Sequence, residues 1–226
     1  VFTLGGVRWA ADLGSEPLSY VDDSINPAIQ AGFNSYYFYR RKGEGHNIVV
    51  INPDENLEMA QGGFAQVSPP VSGANRAYAH IDLSQHYRGK ALSYIRGYLL
   101  SEGRRAFTVR DEIELFEPNS ELYWFMHTKG DIAILDNSTA LIAQDGKTLK
   151  VQFLTSAAES ELMVMEAKKL PQSPQFRETA NNGITKLTLK LKASGRVNIT
   201  AKMSLADEAP SQTPPETTPI AQWTVD

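Results

Sequence analysis

Residues 184–192 read Ile-Thr-Lys-Leu-Thr-Leu-Lys-Leu-Lys, so apolar and polar side chains alternate along the stretch. A period of two sends successive side chains to opposite faces of a sheet, which predicts a strand with one buried face. Residues 197–205 alternate less strictly. Apolar and β-branched runs predict further strands at 76–83, 91–100, 105–116, 122–128, 131–135, 139–143 and 148–154. An aromatic run at 36–39 and a β-branched run at 48–51, stopped by Asn52-Pro53-Asp54, also read as strands. Residues 1–4 and 7–12 flank Gly5-Gly6, a two-residue turn that predicts a hairpin.

Turn residues recur at roughly 8–12-residue spacing, among them Gly103, Pro118-Asn119, Asp136-Asn137, Asp145-Gly146, Asn182-Gly183 and Ser194-Gly195. That rhythm belongs to a β-sandwich. Helix is scarce. Residues 55–61 could form two turns before Gly62-Gly63, and 157–168 fit strand or helix equally. Residues 208–219 are polar and Pro-rich, a linker or surface tail, after which 220–225 could add an edge strand. The expected fold is all-β: one large two-sheet antiparallel β-sandwich of the super-sandwich type over residues 1–207, then a tail over 208–226.

Composition narrows the function classes. A formal net charge of −4 with no Lys/Arg run gives no footprint for a phosphate backbone, so no nucleic-acid partner is expected. Arg40-Arg41-Lys42 reads as a solvated strand end. The absence of cysteine excludes disulfides and thiolate metal sites. No stretch reaches the ~18 apolar residues of a membrane span. The chain has no initiator Met and opens on strand-like residues, which reads as a fragment with any targeting segment upstream.

Chemistry must then come from His, Asp, Glu, Tyr, Asn and Arg. The four histidines, His46, His80, His86 and His127, show no paired spacing, and by spacing alone each reads as a strand-end or hydrogen-bonded surface residue. There is no nucleophile elbow and no phosphate loop. Asp12 ends an apolar strand just before Leu13-Gly14, where it is either a turn-capping carboxylate or a metal ligand. The Gly-containing turn Gly43-Glu44-Gly45 delivers His46-Asn47 to the start of a buried strand, placing a ring nitrogen at its mouth. Tyr37 and Tyr39 would share one face of their strand, with Arg40 and Arg41 following. They are either core packing or a platform on which a sugar stacks beside a carboxylate-pairing Arg. Trp9, Trp124 and Trp223 read as core fillers. Glu159, Glu161 and Glu166 read as solvated.

Three segments taken in order, Gly-Val-Arg-Trp-Ala-Ala-Asp-Leu-Gly at 6–14, Tyr-Tyr-Phe-Tyr-Arg at 36–40 and Glu-Gly-His-Asn-Ile-Val-Val-Ile-Asn-Pro at 44–53, resemble the opening of a heparinase II/III-like sandwich domain. Such domains follow a helical toroid in bacterial heparin, heparan and alginate lyases. Residues 123–131 resemble the family's central strands less specifically. The resemblance implies a structural zinc held by Asp12, by His46 and by a histidine of a stretch that precedes the first strand. That stretch, which also carries the sandwich domain's catalytic histidine, has no counterpart here. The implied reaction is β-elimination on a uronate, with a Tyr or His removing the C5 proton while Asn, His or Arg neutralises the carboxylate. Most of those groups belong to the toroid, so no catalytic residue is assigned within this chain.

The expected role is therefore a cleft wall facing an acidic polysaccharide, with Tyr37, Tyr39 and Arg40 as substrate-binding residues and Asp12 and His46 as zinc ligands. The toroid is the expected partner and the bacterial periplasm or exterior the expected location. The rival readings are a carbohydrate-binding module and a purely structural sandwich.

Overall fold

The computed structural model describes residues 1–17, 35–59, 62–175, 177–206 and 213–225. The chain opens on a hairpin of β1 (Phe2–Leu4) and β2 (Val7–Ala10), turned at Gly5 and Gly6 with φ of 59° and 81°. Positive φ at both turn positions lets the flanking strands keep their right-handed twist, and glycine adopts it without a Cβ penalty. There follow β3 (Val49–Ile51), β4 (Gln66–Val67), β5 (Val71–Ser72), β6 (Ala77–Asp82), β7 (Ala91–Ser101), β8 (Ala106–Leu115) and β9 (Ser120–Thr128). The second half contributes β10 (Asp131–Asp136), β11 (Thr139–Gln144), β12 (Lys147–Thr155), β13 (Glu159–Glu166), β14 (Thr185–Ala193) and β15 (Arg196–Leu205).

Apart from the β1-β2 hairpin, these strands build two antiparallel sheets of unequal size. The larger runs β10-β11-β12-β15-β8-β7-β6-β4, with β5 also paired to β6, and the smaller runs β13-β14-β9-β3. Their inner faces share one hydrophobic core. Val109, Ile113, Val151, Ile199 and Met203 from the large sheet meet Val49, Leu122, Trp124, Leu187 and Leu189 from the small one. Trp124 packs edge-on against Phe153 across the layers, with ring centroids 5.1 Å apart. Trp9 of the hairpin enters the same core.

The alternating segment at 184–192 becomes β14, and the ambiguous segment at 157–168 resolves into β13. The small sheet nevertheless departs from simple alternation. Nearly every residue of β9 is buried, because its outer face is also covered. The cover includes the loop between β2 and β3, and here the aromatic run at 36–39 is not a strand. Single 3-10 turns at Ser35–Tyr37, Tyr39–Arg41 and Gly43–Gly45 replace it. The physical reason lies in the glycines that follow. At Gly45 a Cβ would stand 2.0 Å from the Tyr39 carbonyl oxygen, so the chain folds back on itself where only glycine fits. Phe38 and Tyr39 are thereby turned into the protein instead of along a ladder.

Two smaller expectations also give way. Residues 55–59 form no helical turn; Asp54 accepts the Asn56 N–H at 2.8 Å, a local bond that competes with helix, and Lys42 takes the Asn56 carbonyl. Residues 220–225 add no strand. A 3-10 turn at Ile220–Gln222 sets Trp223 onto the large sheet, where it forms a satellite cluster with Leu99 and Ile220. Upstream, the Glu216 carbonyl accepts bonds from Arg110 and Thr200, and its carboxylate pairs with Arg76 at 3.1 Å. The tail is thus fastened along the outer face of the large sheet.

Gly97 is the seat of that fastening, since a Cβ there would lie 2.6 Å from the Trp223 ring. Gly97→Ala should destabilise the chain by about 1–3 kcal/mol through overpacking. In a Trp223→Ala background the same substitution should cost less, because the ring contacts are gone and only the approach to Ile220 at 2.9 Å remains. Equal costs in the two backgrounds, measured by denaturant unfolding, would remove the tail from this account.

Candidate metal centre

Asp12 stands just past the end of β2, and His46 stands just past the turn at Gly43–Gly45. Their side chains meet, with His46 Nδ1 3.4 Å from Asp12 Oδ2. The other carboxylate oxygen, Oδ1, accepts the Gly14 N–H at 2.9 Å. The two roles open to Asp12 are therefore compatible, one on each oxygen. The Gly14 amide, and then the neighbouring His46, hold the Asp12 carboxyl below the usual carboxylate range, against the opposing effect of burial. Both side chains remain partly open to solvent, at 46% exposure for Asp12 and 34% for His46.

Asn47 brings these two segments together. Its amide donates to the Ala11 carbonyl at 2.8 Å, fixing the residue before Asp12. Its Oδ1 accepts the backbone N–H of His127 at 2.7 Å, and the Ala11 N–H donates in turn to the His127 carbonyl at 2.8 Å. One side chain thus pins β2, the His46 loop and the end of β9 to each other. From below, Arg96 of β7 donates to the Asn47 carbonyl at 2.7 Å. The same guanidinium grips Asp111 of β8 bidentately, at 2.6 and 2.9 Å. Tyr94 donates its hydroxyl to Asp111 at 2.7 Å. This buried group ties the large sheet to the backbone of the loop that carries His46.

His127 occupies the inner end of the arrangement and is fully buried. Its Nδ1 lies 3.2 Å from Asn47 Oδ1, an atom that only accepts, so the proton sits on Nδ1. Nε2 is then free to accept the Tyr39 hydroxyl at 2.7 Å. Burial, and then the Lys186 cation, push the His127 imidazolium pKa down to about 3, so the ring is neutral. Burial also raises the Tyr39 phenol well above its ordinary value. Lys186 lies over the Phe125 ring at 4.2 Å and the Tyr39 ring at 5.1 Å, and donates to the Lys168 carbonyl at 3.0 Å. Burial brings its ammonium pKa down to about 8.

The residues expected to face a sugar are distributed differently. Tyr39 is buried with its hydroxyl on His127, so it presents no face to solvent. Tyr37 is half-buried. Arg40 is half-buried and bonded to Asn181 at 2.9 Å and to the Ser15 carbonyl at 3.4 Å. The structure therefore brings Asp12 and His46 together and turns Tyr39 inward, whereas Tyr37 and Arg40 stay half-buried. Sequence reasoning missed Asn47, Arg96, Asp111 and the buried state of His127. Asp111 carried a readable signal, since it holds the inward phase of β8 between Val109 and Ile113.

A carboxylate and an imidazole are donors of the kind zinc takes, so the pair fits the metal in type. Among the described residues no group of three or more His, Cys, Asp or Glu converges, so the pair supplies two donors of the usual three or four.

No protein-family profile matches the chain, and no curated protein matches it in sequence. Among solved structures, a heparinase III with methylated lysines matches 91% of this chain with a TM-score of 0.60 and 15% identity. The chain spans only 29% of that protein. Two structures of a family GH92 α-mannosidase from Bacteroides thetaiotaomicron, one with mannoimidazole, match 70% of this chain at 14% identity. Their TM-score of 0.31 is too low to carry an argument. The chain has a heparinase-like fold, and among the described residues no helix is long and apolar enough to cross a membrane.

The His127 geometry has a pH signature. A folded pKa of about 3 lies below the ordinary 6.5, so the unfolded chain takes up a proton that the folded chain refuses. The stabilising contribution of neutral His127 is complete above pH 6.5 and is lost progressively as pH falls toward 3. The stability gap between the wild type and His127→Gln should therefore shrink by about 1.4 kcal/mol for each pH unit below 6.5. A gap independent of pH over that window would show that His127 is protonated in the fold.

Proposed function

We propose that this chain is the sandwich domain of a bacterial polysaccharide lyase acting on an acidic, uronate-containing chain by β-elimination. It forms one wall of the cleft against a helical toroid that belongs to the same protein and works in the periplasm or outside the cell. The observation that carries the reading is the meeting of Asp12 and His46 from segments 34 positions apart, on a fold like that of heparinase III. Asp12 and His46 would hold zinc, with further donors from outside the described residues. When bound, it would supply a structural cross-link between the end of β2 and the His46 loop.

This chain's own residues do the rest of the positioning. Asn47, the residue after His46, is fixed by its bonds to Ala11 and His127, and Arg96 holds its carbonyl from the core. Tyr37 and Arg40, both half-buried, would supply an aromatic edge and a guanidinium of the kind that suits a carboxylated sugar. Tyr39 contributes indirectly, by locking the loop onto His127. Proton abstraction falls to groups on the toroid side.

Residues 1–226 alone should release no unsaturated product from heparin, heparan sulfate or alginate, whereas the intact parent protein should. In the parent, Asp12→Ala and His46→Ala should each weaken zinc binding about 10-fold or more, measured by competition with a chelator. Turnover by residues 1–226 alone would place the active site in the wrong domain. Zinc affinity indifferent to both substitutions would remove the metal role, and an inactive parent that still binds polysaccharide would favour a carbohydrate-binding module.

A further inference from the structure

The loop that carries His46 has a second functional face, set by the same 3-10 turns that bury Tyr39. Tyr36 is 48% exposed, and the Arg41 guanidinium lies 5.2 Å from the centre of its ring. Both residues line a groove of about 430 Å³, whose other wall includes Met59 and His86. The groove floor is a buried cluster in which two carboxylates share one ammonium. Lys42 Nζ contacts Glu58 Oε1 at 2.5 Å, and the remaining Glu58 oxygen accepts the Gly43 N–H at 3.0 Å. Glu44 Oε1 lies 3.3 Å from the same ammonium and burial raises the Glu58 carboxyl to about 7, whereas exposed Arg41 has no carboxylate partner among the described residues. The walls are also tethered, since Lys90 donates to the Asn52 carbonyl at 2.8 Å and pairs with Asp54 at 3.1 Å. That links the segment leading to Met59 with the turn that carries His86.

A guanidinium laid over an aromatic ring is already oriented, with its planar fork available to a carboxylate. The uncovered part of the Tyr36 ring offers an apolar surface to the C–H face of a sugar, and His86 stands opposite as a hydrogen-bonding group. We infer that this groove is a subsite for one carboxylate-bearing sugar residue, with Arg41 pairing the carboxylate and Tyr36 stacking on the ring. This rests on the reading of the chain as a wall facing an acidic polysaccharide, and it deepens that reading by naming where the acid group is read.

Titration of residues 1–226 with an alginate tetrasaccharide, followed by amide chemical shifts, tests the assignment, because carboxylates are the only anionic groups of that probe. The shifts should concentrate at 36–43, 57–63 and 83–88. Arg41→Gln and Tyr36→Ala should each weaken binding about 10-fold while leaving distant resonances in place, and the carboxyl-reduced tetrasaccharide should not bind. Undiminished affinity in both variants would overturn the groove assignment while leaving the polysaccharide reading standing. Equal binding of the carboxyl-reduced probe would overturn the role given to Arg41. A wild-type chain that binds no probe at all would reject the polysaccharide reading itself, and the subsite with it.

Discussion

The buried ion pair between Arg96 and Asp111 is the constraint on which the rest of the arrangement depends. Both residues lie on the large sheet, directly opposite each other in the β7–β8 register, and both face inward. Removing two charges from water is costly, and the cost is offset only when geometry and further hydrogen bonds are complete. Here they are. The guanidinium holds both carboxylate oxygens, Tyr94 adds a third bond to Asp111, and the remaining arm of Arg96 reaches the Asn47 carbonyl. Loss of either charge would strand the other in the core, at about 3–5 kcal/mol. A well-packed apolar pair could fill the same space, but it could not direct a donor onto a loop carbonyl.

That direction matters because β3 is too short to hold the loop by itself. It contributes three residues to the edge of the small sheet. Its position is reinforced from the opposite layer, where Tyr87 donates to the Val49 carbonyl at 2.6 Å and stacks edge-on against Tyr94. The polar core and the apolar core therefore act at different places. Val109, Ile113, Trp124 and Leu189 hold the sheets together, while Arg96, Tyr87 and Asn47 decide where the loop bearing His46 comes to rest.

The strands were legible because they obey a local rule. A period of two within 184–192, or a turn at Gly5-Gly6, needs no knowledge of distant residues. The loop at 35–47 was not legible in the same way. Its aromatic run has the composition of a strand, yet its conformation is set by the close approach of Gly45 to the Tyr39 carbonyl and by the demand of His127 for a partner 88 positions away in sequence. Composition left core packing and a sugar-facing platform both open for this run, and it predicted the backbone wrongly. The same shift decides which side chains face outward: Tyr36 and Arg41 become exposed, whereas Tyr39 turns in. Asp12 and His46 could be named because residues at a strand end and a strand mouth resemble a known pattern. The framework that joins them, running through Asn47, has no local signature.

The contrast between the half-exposed pair and its buried support is the one that the proposed ligand site requires. A histidine that is to bind a cation must keep a nitrogen lone pair reachable, and its carboxylate neighbour must remain ionised. Burial works against both, as His127 illustrates: sealed beneath Tyr39 and Lys186, it is neutral, and both ring nitrogens are committed to hydrogen bonds. Asp12 and His46 avoid this by standing at the open mouth of the sandwich, where water stabilises the carboxylate and the Gly14 amide favours its charged form further. Their position cannot be secured by burying them, so it is secured through the backbone. Ala11 and Asn47, the residues adjoining the pair, make the rigid contacts, and the Asp12 and His46 side chains are left to face outward.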